Sequence, residues 1–353
     1  MVLDKIKIIT KKKYALFTAN CSTALYLVLK SLNFKKKKII IPCNICFDVV
    51  LSIIFSGNIP VLVDTDKKLG FNLFDLKKNL KKKDVCIIIF PYLYGNSNNF
   101  KDIFNLSKSN NIILIEDIAG SFGGKIKKKY FGSFADFTVG SFGQGKIIDM
   151  GGGGFLALNS KKIYNNVLNN YNLLDQFKSN YQKLYFQINN LQKKILDKKI
   201  KKKILSKNNL NKYFNAFIYK KKFTNNYFIK LRYLISKIDR INSKRNYKAD
   251  FYDKVIDFKN FKPINHVKGS VYFRKNFLVN NLDTIKIIKY LNFKNIYARK
   301  YYPPLNYIFP FFKKNLTNYE SLYKKLINFW VGDEINTRHI IEIKKILKKY
   351  LLC

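Results

Sequence analysis

Four apolar runs without polar alternation constrain this chain more than any other feature. They are Lys38–Pro42 (KIIIP), Pro60–Asp64 (PVLVD), Val85–Phe90 (VCIIIF) and Ile112–Ile115 (IILI). A strand wetted on one face alternates apolar and polar residues, so a strand that is apolar throughout is buried on both faces. Helical patterns from about Phe47 to Phe55 and from about Phe100 to Ser109 fall between them. Buried strands alternating with helices predict a largely parallel sheet covered on both sides, an α/β layer. Ligands of such sheets bind beyond the carboxyl ends of the strands. Two of those ends are marked in this chain, by the loop after Pro42 (Cys43, Asn44) and by Glu116-Asp117 after Ile115.

Upstream, residues 14–18 read as a short strand and Ala24–Leu32 as an apolar helix opened by Asn20-Cys21-Ser22-Thr23. Asn, Ser and Thr are good helix caps. The first turn of such a helix offers N–H groups and the positive end of the helix dipole, a ready phosphate site to which the Ser22 and Thr23 hydroxyls add donors. A plainly capped helix has the same residues.

Downstream lies FADFTVGSFGQGKIIDMGGGGFLALN, residues 134–159. It reads as a strand (Ala135–Ser141), a glycine loop and a returning strand (Gly154–Leu158). Lys146 sits in that loop, between Gly143, Gly145 and the run Gly151–Gly154. A lysine presented this way is a candidate Schiff-base nucleophile. Only six of the 67 basic residues are arginine, so a lysine drawn at random here is a solvated surface group.

The formal net charge of +45 points on its face to nucleic acid or an anionic surface. The lysine clusters at 11–13, 35–38, 81–83, 127–129, 201–203 and 220–222 are nevertheless dispersed, and most fall between apolar segments. Lys, Asn, Ile, Phe and Tyr are all abundant, which fits a compositional bias better than a binding patch. No specific nucleic-acid site is expected, and the charge is left to steer anionic substrates. The five cysteines include a CxxC at Cys43 and Cys46, but no second pair and no nearby histidine completes a metal site. An odd cysteine count without a secretion signal implies a reducing, cytoplasmic setting. MVLDKIKIITKKK lacks the apolar core of a signal peptide, and Ile39–Val63 is broken by Pro42, Asn44, Asp48 and Pro60, so no membrane span is expected.

With 353 residues the chain can bury a large core. Residues 160–222 read as irregular helices and loops, and Asn226–Tyr252 as a helical connection between two domains. A strand at Val271–Val279, a helix at Thr284–Leu291, the segment Ile296–Tyr302 and a last helix at Thr337–Leu352 predict a small α+β domain. The division expected is a large domain over 1–225 and a small one over 226–353.

Helix start (Ser22-Thr23), strand-end acid (Glu116-Asp117), Ser141 and Lys146 occur in an order that suits pyridoxal phosphate chemistry. That cofactor needs a lysine for its aldehyde, a carboxylate for its ring nitrogen and donors for its phosphate. At this point the sequence resembles the DegT/DnrJ/StrS group of pyridoxal-phosphate sugar aminotransferases. The resemblance rests on NCSTALYLVL (20–29), IIIPCN…GNIPVLVDTD (39–66), FPYLYGN (90–96), LIEDIAGSFGG (114–124), FGSFADFTVGSFGQGK (131–146), GGGGFLALN (151–159) and YARKYYPPL (297–305). It implies the aspartate-aminotransferase-like fold (fold type I) and a homodimer. The reaction implied is amino transfer from a donor such as glutamate to a keto sugar, nucleotide-linked, for surface polysaccharide or amino-sugar synthesis. By the same resemblance Lys146 is the Schiff-base lysine, Asp117 pairs with the ring nitrogen, and Ser141, Ser22 and Thr23 hold the phosphate. Family members that dehydrate carry histidine at the lysine position, so the lysine favours transamination. Tyr92, Tyr94, Arg299 and Tyr301 are candidates for the substrate pocket, with packing the simpler reading of each.

The chain also departs from the family pattern. Gly120 stands where a glutamine usually contacts the ring hydroxyl, and Cys46 where an aromatic residue usually stacks on the ring. Members usually begin further upstream, with a segment that helps form the substrate pocket. The G-x-N-x-R segment that reaches the partner's site has no counterpart between Asn211 and Tyr227. Three alternatives stay open: a member acting on a non-sugar ketone, a cofactor-binding relic with little turnover, and a basic nucleic-acid binder.

Overall fold

The computed structural model describes residues 1–197 and 205–352, so the lysine cluster 201–203 and Cys353 lie outside the described residues. The chain opens with a helix that sequence reasoning missed, α1 (Val2–Thr10), which buries Val2, Ile6 and Ile9 on one side. Then follow β1 (Tyr14–Thr18), α2 (Cys21–Ser31), β2 (Lys38–Pro42), α3 (Phe47–Phe55), β3 (Ile59–Val63), α4 (Leu73–Leu80), β4 (Val85–Pro91), α5 (Phe100–Ser109) and β5 (Ile113–Asp117). A small hairpin, β6 (Lys125–Ile126) and β7 (Lys129–Tyr130), precedes β8 (Phe137–Ser141) and β9 (Gly154–Leu158).

Seven of these strands form one sheet in the order β1-β9-β8-β5-β4-β2-β3. β3, β2, β4, β5 and β8 run parallel to one another, while β9 runs antiparallel to both β8 and β1. The apolar runs explain this sheet. Ile39, Ile41, Ile87, Ile89 and Ile115 enter one buried cluster, whereas Ile40, Ile88 and Leu114 enter the cluster on the other face. Both faces are covered, so neither can carry a polar residue without a partner. The register sets Pro91 opposite Asp117 and Asp117 opposite Val139, which brings the carboxyl ends of β4, β5 and β8 to one edge.

Two regular helices, α6 (Lys161–Asn172) and α7 (Ser179–Leu196), correct the expectation of irregular structure after residue 160. In α7, Tyr181, Ile188 and Ile195 are buried seven residues apart, an apolar seam that the surrounding Asn and Lys conceal in the sequence. Two short helical segments follow, α8 (Lys207–Leu210) and α9 (Phe214–Phe217). The expected helical connection is two helices, α10 (Asn225–Ser236) and α11 (Ile238–Val255).

A second sheet, wholly antiparallel, is built from β10 (Phe261–Ile264), β11 (Arg274–Val279), β12 (Ala298–Arg299) and β13 (Leu326–Trp330) in the order β10-β11-β13-β12. With α12 (Thr284–Phe293), α13 (Leu305–Ile308), α14 (Thr317–Lys325) and α15 (Thr337–Leu352) it completes the described chain. Its core is a separate cluster centred on Phe277, Ile327, Phe329, Ile287 and Ile340. The expected strand from Val271 begins instead at Arg274 because residues 271–273 bond elsewhere. Val271 N donates to Gly95 O (3.1 Å) and Phe273 N to Tyr94 O (2.8 Å), just past the end of β4. These bonds carry Phe273 and Arg274 to the carboxyl edge of the large sheet.

Candidate active site

Lys146 is held by a loop that Asp149 ties at both ends. The Asp149 carboxylate accepts from Gly145 N (2.7 Å) and Gly151 N (2.8 Å), and Lys146 N donates to Gly143 O (3.2 Å). The side chain is partly buried, and Nζ stands 5.3 Å from the Phe273 ring centroid. Burial pulls the ammonium pKa down, but attraction to Tyr302, Cys46, Asp117 and Cys21 outweighs it and the net direction is upward. Burial raises the Cys46 thiol and the Tyr302 phenol, so both are neutral near pH 7. Burial raises the Cys21 thiol as well, and of those four groups only Asp117 is a carboxyl.

Asp117 closes β5 and is 7% exposed. Oδ1 accepts from Ala119 N (2.9 Å). Burial raises its pKa, opposed by that bond and by Lys146. A carboxylate so placed gains from a further cationic donor. The adjacent Glu116 points the other way: it is fully buried and accepts from Tyr92 Oη (2.6 Å), Gly132 N (2.7 Å), Phe134 N (2.9 Å) and Ala135 N (2.8 Å). Of the pair, Glu116 braces the loop before β8 and Asp117 faces the lysine.

Ser141 lies 7% exposed at the end of β8, and its Oγ accepts from Gly143 N (3.2 Å), leaving its proton to donate. The start of α2 is brought beside it by Gly154, where a Cβ would lie 2.4–2.6 Å from the backbone of Asn20 and Cys21. Only glycine permits that approach. Asn20 Oδ1 caps Thr23 N (2.7 Å). The Thr23 hydroxyl is fully buried, donating to Phe217 O (3.2 Å) and accepting from Tyr219 N (3.3 Å), so it serves the segment after α9. Ser22 is buried at 8% exposure and faces Asp48.

Sequence reasoning missed Asp48, in the first turn of α3. Burial raises its pKa to about 6 against the pull of Lys146, Cys46 and Ser22, and its Oδ1 is buried without a partner. An acid just after a strand's carboxyl end was the available signal, but first-turn acids are ordinary helix-dipole partners. Phe273 was missed too. A Cβ on Gly120 would meet its ring at 3.6 Å, so Phe273 stands against the position where the family pattern has glutamine.

The four pocket candidates are placed unequally. Tyr92 is not in the pocket: it is 2% exposed, bonded to Glu116, and stacked on Phe131 with centroids 3.8 Å apart. Tyr94 is 3% exposed and donates to Tyr301 O (2.7 Å), a brace between the two sheets. Arg299 stacks on Tyr297 (4.3 Å) and donates to Asn292 Oδ1 (3.1 Å). Tyr301 is half-buried beneath the Arg274 guanidinium, 4.8 Å from ring centroid to Cζ. A cleft of about 510 Å³ lined by Lys11, Lys12, Asp136 and Asn159 opens at the amino ends of the strands, away from these groups.

Described residues hold no cluster of three or more potential metal ligands. What the donor set fits is a ligand with a cationic ring and an electrophilic end: a buried carboxylate lacking a full set of donors, a lysine beside it, and at the same edge a serine proton and a helix start. That set, on a mainly parallel sheet with a second, antiparallel sheet, defines the fold type I class of pyridoxal-phosphate enzymes. The chain belongs to the DegT/DnrJ/EryC1/StrS aminotransferase family, whose profile matches residues 4–348. It is 33% identical over 158 residues to GDP-perosamine synthase of Escherichia coli O157:H7, covering 44% of this chain and 43% of that protein. It is 28% identical over 194 residues to dTDP-3-amino-3,6-dideoxy-alpha-D-galactopyranose transaminase of Aneurinibacillus thermoaerophilus, covering 53% of each. The matched stretch thus spans about half the length of these relatives. Among solved structures, Helicobacter pylori PseC, an aminotransferase of pseudoaminic acid biosynthesis, superposes with a TM-score of 0.79 at 18% identity, covering 100% of this chain and 91% of that one. E. coli GDP-4-keto-6-deoxy-D-mannose-3-dehydratase, solved with hydrated PLP, gives 0.76 at 20% identity, covering 98% and 90%. At these identities the structural likeness establishes the fold.

Proposed function

We propose that this protein is a pyridoxal-phosphate-dependent aminotransferase that takes an amino group from glutamate and passes it to a nucleotide-linked keto sugar, in amino-sugar or surface-polysaccharide synthesis. The observation that carries the reading is Lys146 beside Asp117 at the carboxyl edge of the parallel sheet. When bound, the cofactor supplies an aldehyde for the lysine and an electron-accepting ring. Lys146 Nζ would hold it, and would move the proton once released to act as a base. Asp117 would keep a proton on the ring nitrogen. Ser141 would donate to the phosphate, with the first turn of α2 adding its N–H groups and dipole. Ser22 and Thr23 belong to that turn, Thr23 shaping it through Phe217 and Tyr219. Phe273 supplies an apolar wall beside Lys146. The proposal includes a large domain over 1–225, a small one over 226–353, a homodimer, and a cytoplasmic setting in which Cys21, Cys43, Cys46 and Cys86 stay as the free thiols seen here. Among described residues no helix is long and apolar enough to cross a membrane.

The test has two stages. The protein is loaded with pyridoxal phosphate, reduced with borohydride and mapped by peptide; the label should fall on Lys146, and a label elsewhere overturns the site. The loaded protein is then given glutamate and a panel of nucleotide keto sugars. Conversion by glutamate without transfer to any sugar would move the assignment to a non-sugar ketone. No conversion with any amino donor would leave a cofactor-binding relic.

A further inference from the structure

Lys12 lies between α1 and β1 and is buried at 6% exposure. Its Nζ donates to Ala135 O, in the loop before β8. Among the described residues no carboxylate forms an ion pair with it. Glu116 attracts it from a distance, but the Glu116 oxygens are engaged by Tyr92, Gly132, Phe134 and Ala135. Burial pulls the Lys12 ammonium pKa down, against the attraction of Glu116 and Asp136. An ammonium carries three donors, and a buried one is costly unless an anion reaches it.

The cleft at the amino ends of β5 and β8 gives an anion that access. Lys12 lines it, and its volume of about 510 Å³ falls in the range of small-molecule sites. Leu32, Ile113, Phe137 and Ile163 form apolar walls. The polar lining is rich in donors. Lys11 belongs to it beside Lys12. Ser160 Oγ accepts from Ile163 N (3.3 Å), leaving its proton to donate. Asn159 Oδ1 accepts from Lys13 N (3.0 Å), leaving the amide N–H groups of that side chain. Asp136, the carboxylate in the lining, is already held by Leu114 N (2.9 Å) and Lys108 Nζ (3.2 Å). Lys7 and Lys13 line a shallower depression that shares Lys11 and Lys12 with the cleft, so the approach is cationic as well.

These features fit a ligand of two parts, an anionic head for the ammonium and a small apolar body for the walls. A lysine is a point charge without the planar fork that matches a carboxylate, so it takes a carboxylate or a phosphate. We propose that this cleft is a second binding site, for a small organic anion, with Lys12 as the receptor of its carboxylate or phosphate head. Ile113 and Asp117 are the two ends of β5. Four residue steps of roughly 3.3 Å therefore put the cleft about 13 Å from the acid beside Lys146. The site is distinct from the lysine's and does not depend on the aminotransferase reading.

The test is calorimetry on the full chain in saturating pyridoxal phosphate. Phenylacetate and phenyl phosphate carry the two heads on a similar body; benzyl alcohol lacks the charge and inorganic phosphate lacks the body. At least one of the organic anions should bind, about tenfold or more tightly than its control, and the better head names the ligand class. Lys12→Met should weaken that anion by about tenfold or more, since a charge-assisted bond is lost. Ile163→Trp fills the cleft from α6 without changing any charge and should weaken it as much; it serves if the Met variant does not fold. Were Lys12 only a counter-charge to Glu116, Lys12→Met would lower Tm and leave the affinity as it was. Unchanged affinity in either folded variant overturns the site. So does a parent that binds neither organic anion, or one that binds the controls as tightly, which would leave only diffuse attraction to lysines or a greasy surface.

Discussion

Asp48 is an acid whose charge the fold tolerates poorly. Its carboxyl is raised to about 6 by burial, so the folded protein holds its proton more tightly than the unfolded chain does. The sign follows: a raised acid favours folding while protonated, and that contribution fades as pH rises from about 4 through 6. Asp48→Asn should therefore be more stable than the parent at pH 7.5, by on the order of 1–2 kcal/mol, with the difference gone by pH 4. Thermal melts of both proteins across that range check it, and a gap that stays constant with pH refutes the coupling. Asp117 is raised in the same direction, but its proposed work is on the ring nitrogen. Asp117→Asn should fold and bind cofactor yet lose turnover about a hundredfold or more; near-normal turnover excludes the role. Lys146 and Asp117 were legible because glycines and a strand end mark them in the sequence itself. Asp48, Phe273 and Arg274 were not, because their neighbours come from elements far along the chain. Tyr92 misled because a tyrosine after a strand end looks the same whether it faces a ligand or, as here, Glu116.

One element-level contact ties α11 to β11. Lys275 is completely buried, and its Nζ meets Asp253 Oδ2 (2.5 Å) and Asn265 Oδ1 (3.0 Å). Removing one partner of such a pair strands the other charge, at a cost of about 3–5 kcal/mol. Asp253→Asn should lower stability by about 3 kcal/mol, and Lys275→Met by less, because it removes the deeper charge; denaturant titration ranks them, and the reverse order refutes the argument. Lys275 is therefore a point at which β11 is anchored to α11. Elements were legible in proportion to how much of their pattern was apolar. The parallel strands were read within a few residues because burial on both faces leaves them mostly apolar, with runs of Ile, Leu and Val. The helices α6 and α7 were not, because each needs only one narrow seam and the remainder is Asn and Lys. β10 and β13 escaped notice because an antiparallel sheet with short strands gives weak periodicity.

At the scale of the whole molecule, the net charge of +45 predicts weak DNA binding that ignores sequence and falls steeply with salt, since it comes from dispersed lysines; tight sequence-specific binding at physiological salt would contradict that. The exposed apolar surface makes a sharper prediction. Leu173 is 83% exposed, Phe186 56%, Phe177 39% and Tyr185 37%, all at or just before α7. Tyr185 and Phe186 stand side by side, ring centroids 6.4 Å apart, and exposed apolar patches mark interfaces in soluble proteins. Tyr185 also packs against Phe217 (5.2 Å), and Asp48 is the largest cause of the raised pKa of its phenol, so this surface adjoins the proposed site. A second copy seated there would stand on the Asp48 side of the proposed site, as a homodimeric active site requires. Sedimentation should show a dimer of the full chain. Phe186→Glu places a charge on an already exposed position, so it should yield a folded monomer and weaken substrate binding, while far-ultraviolet circular dichroism stays unchanged. A parent protein that sediments as a monomer at micromolar concentration refutes the dimer; a Phe186→Glu variant that stays dimeric moves the interface away from α7.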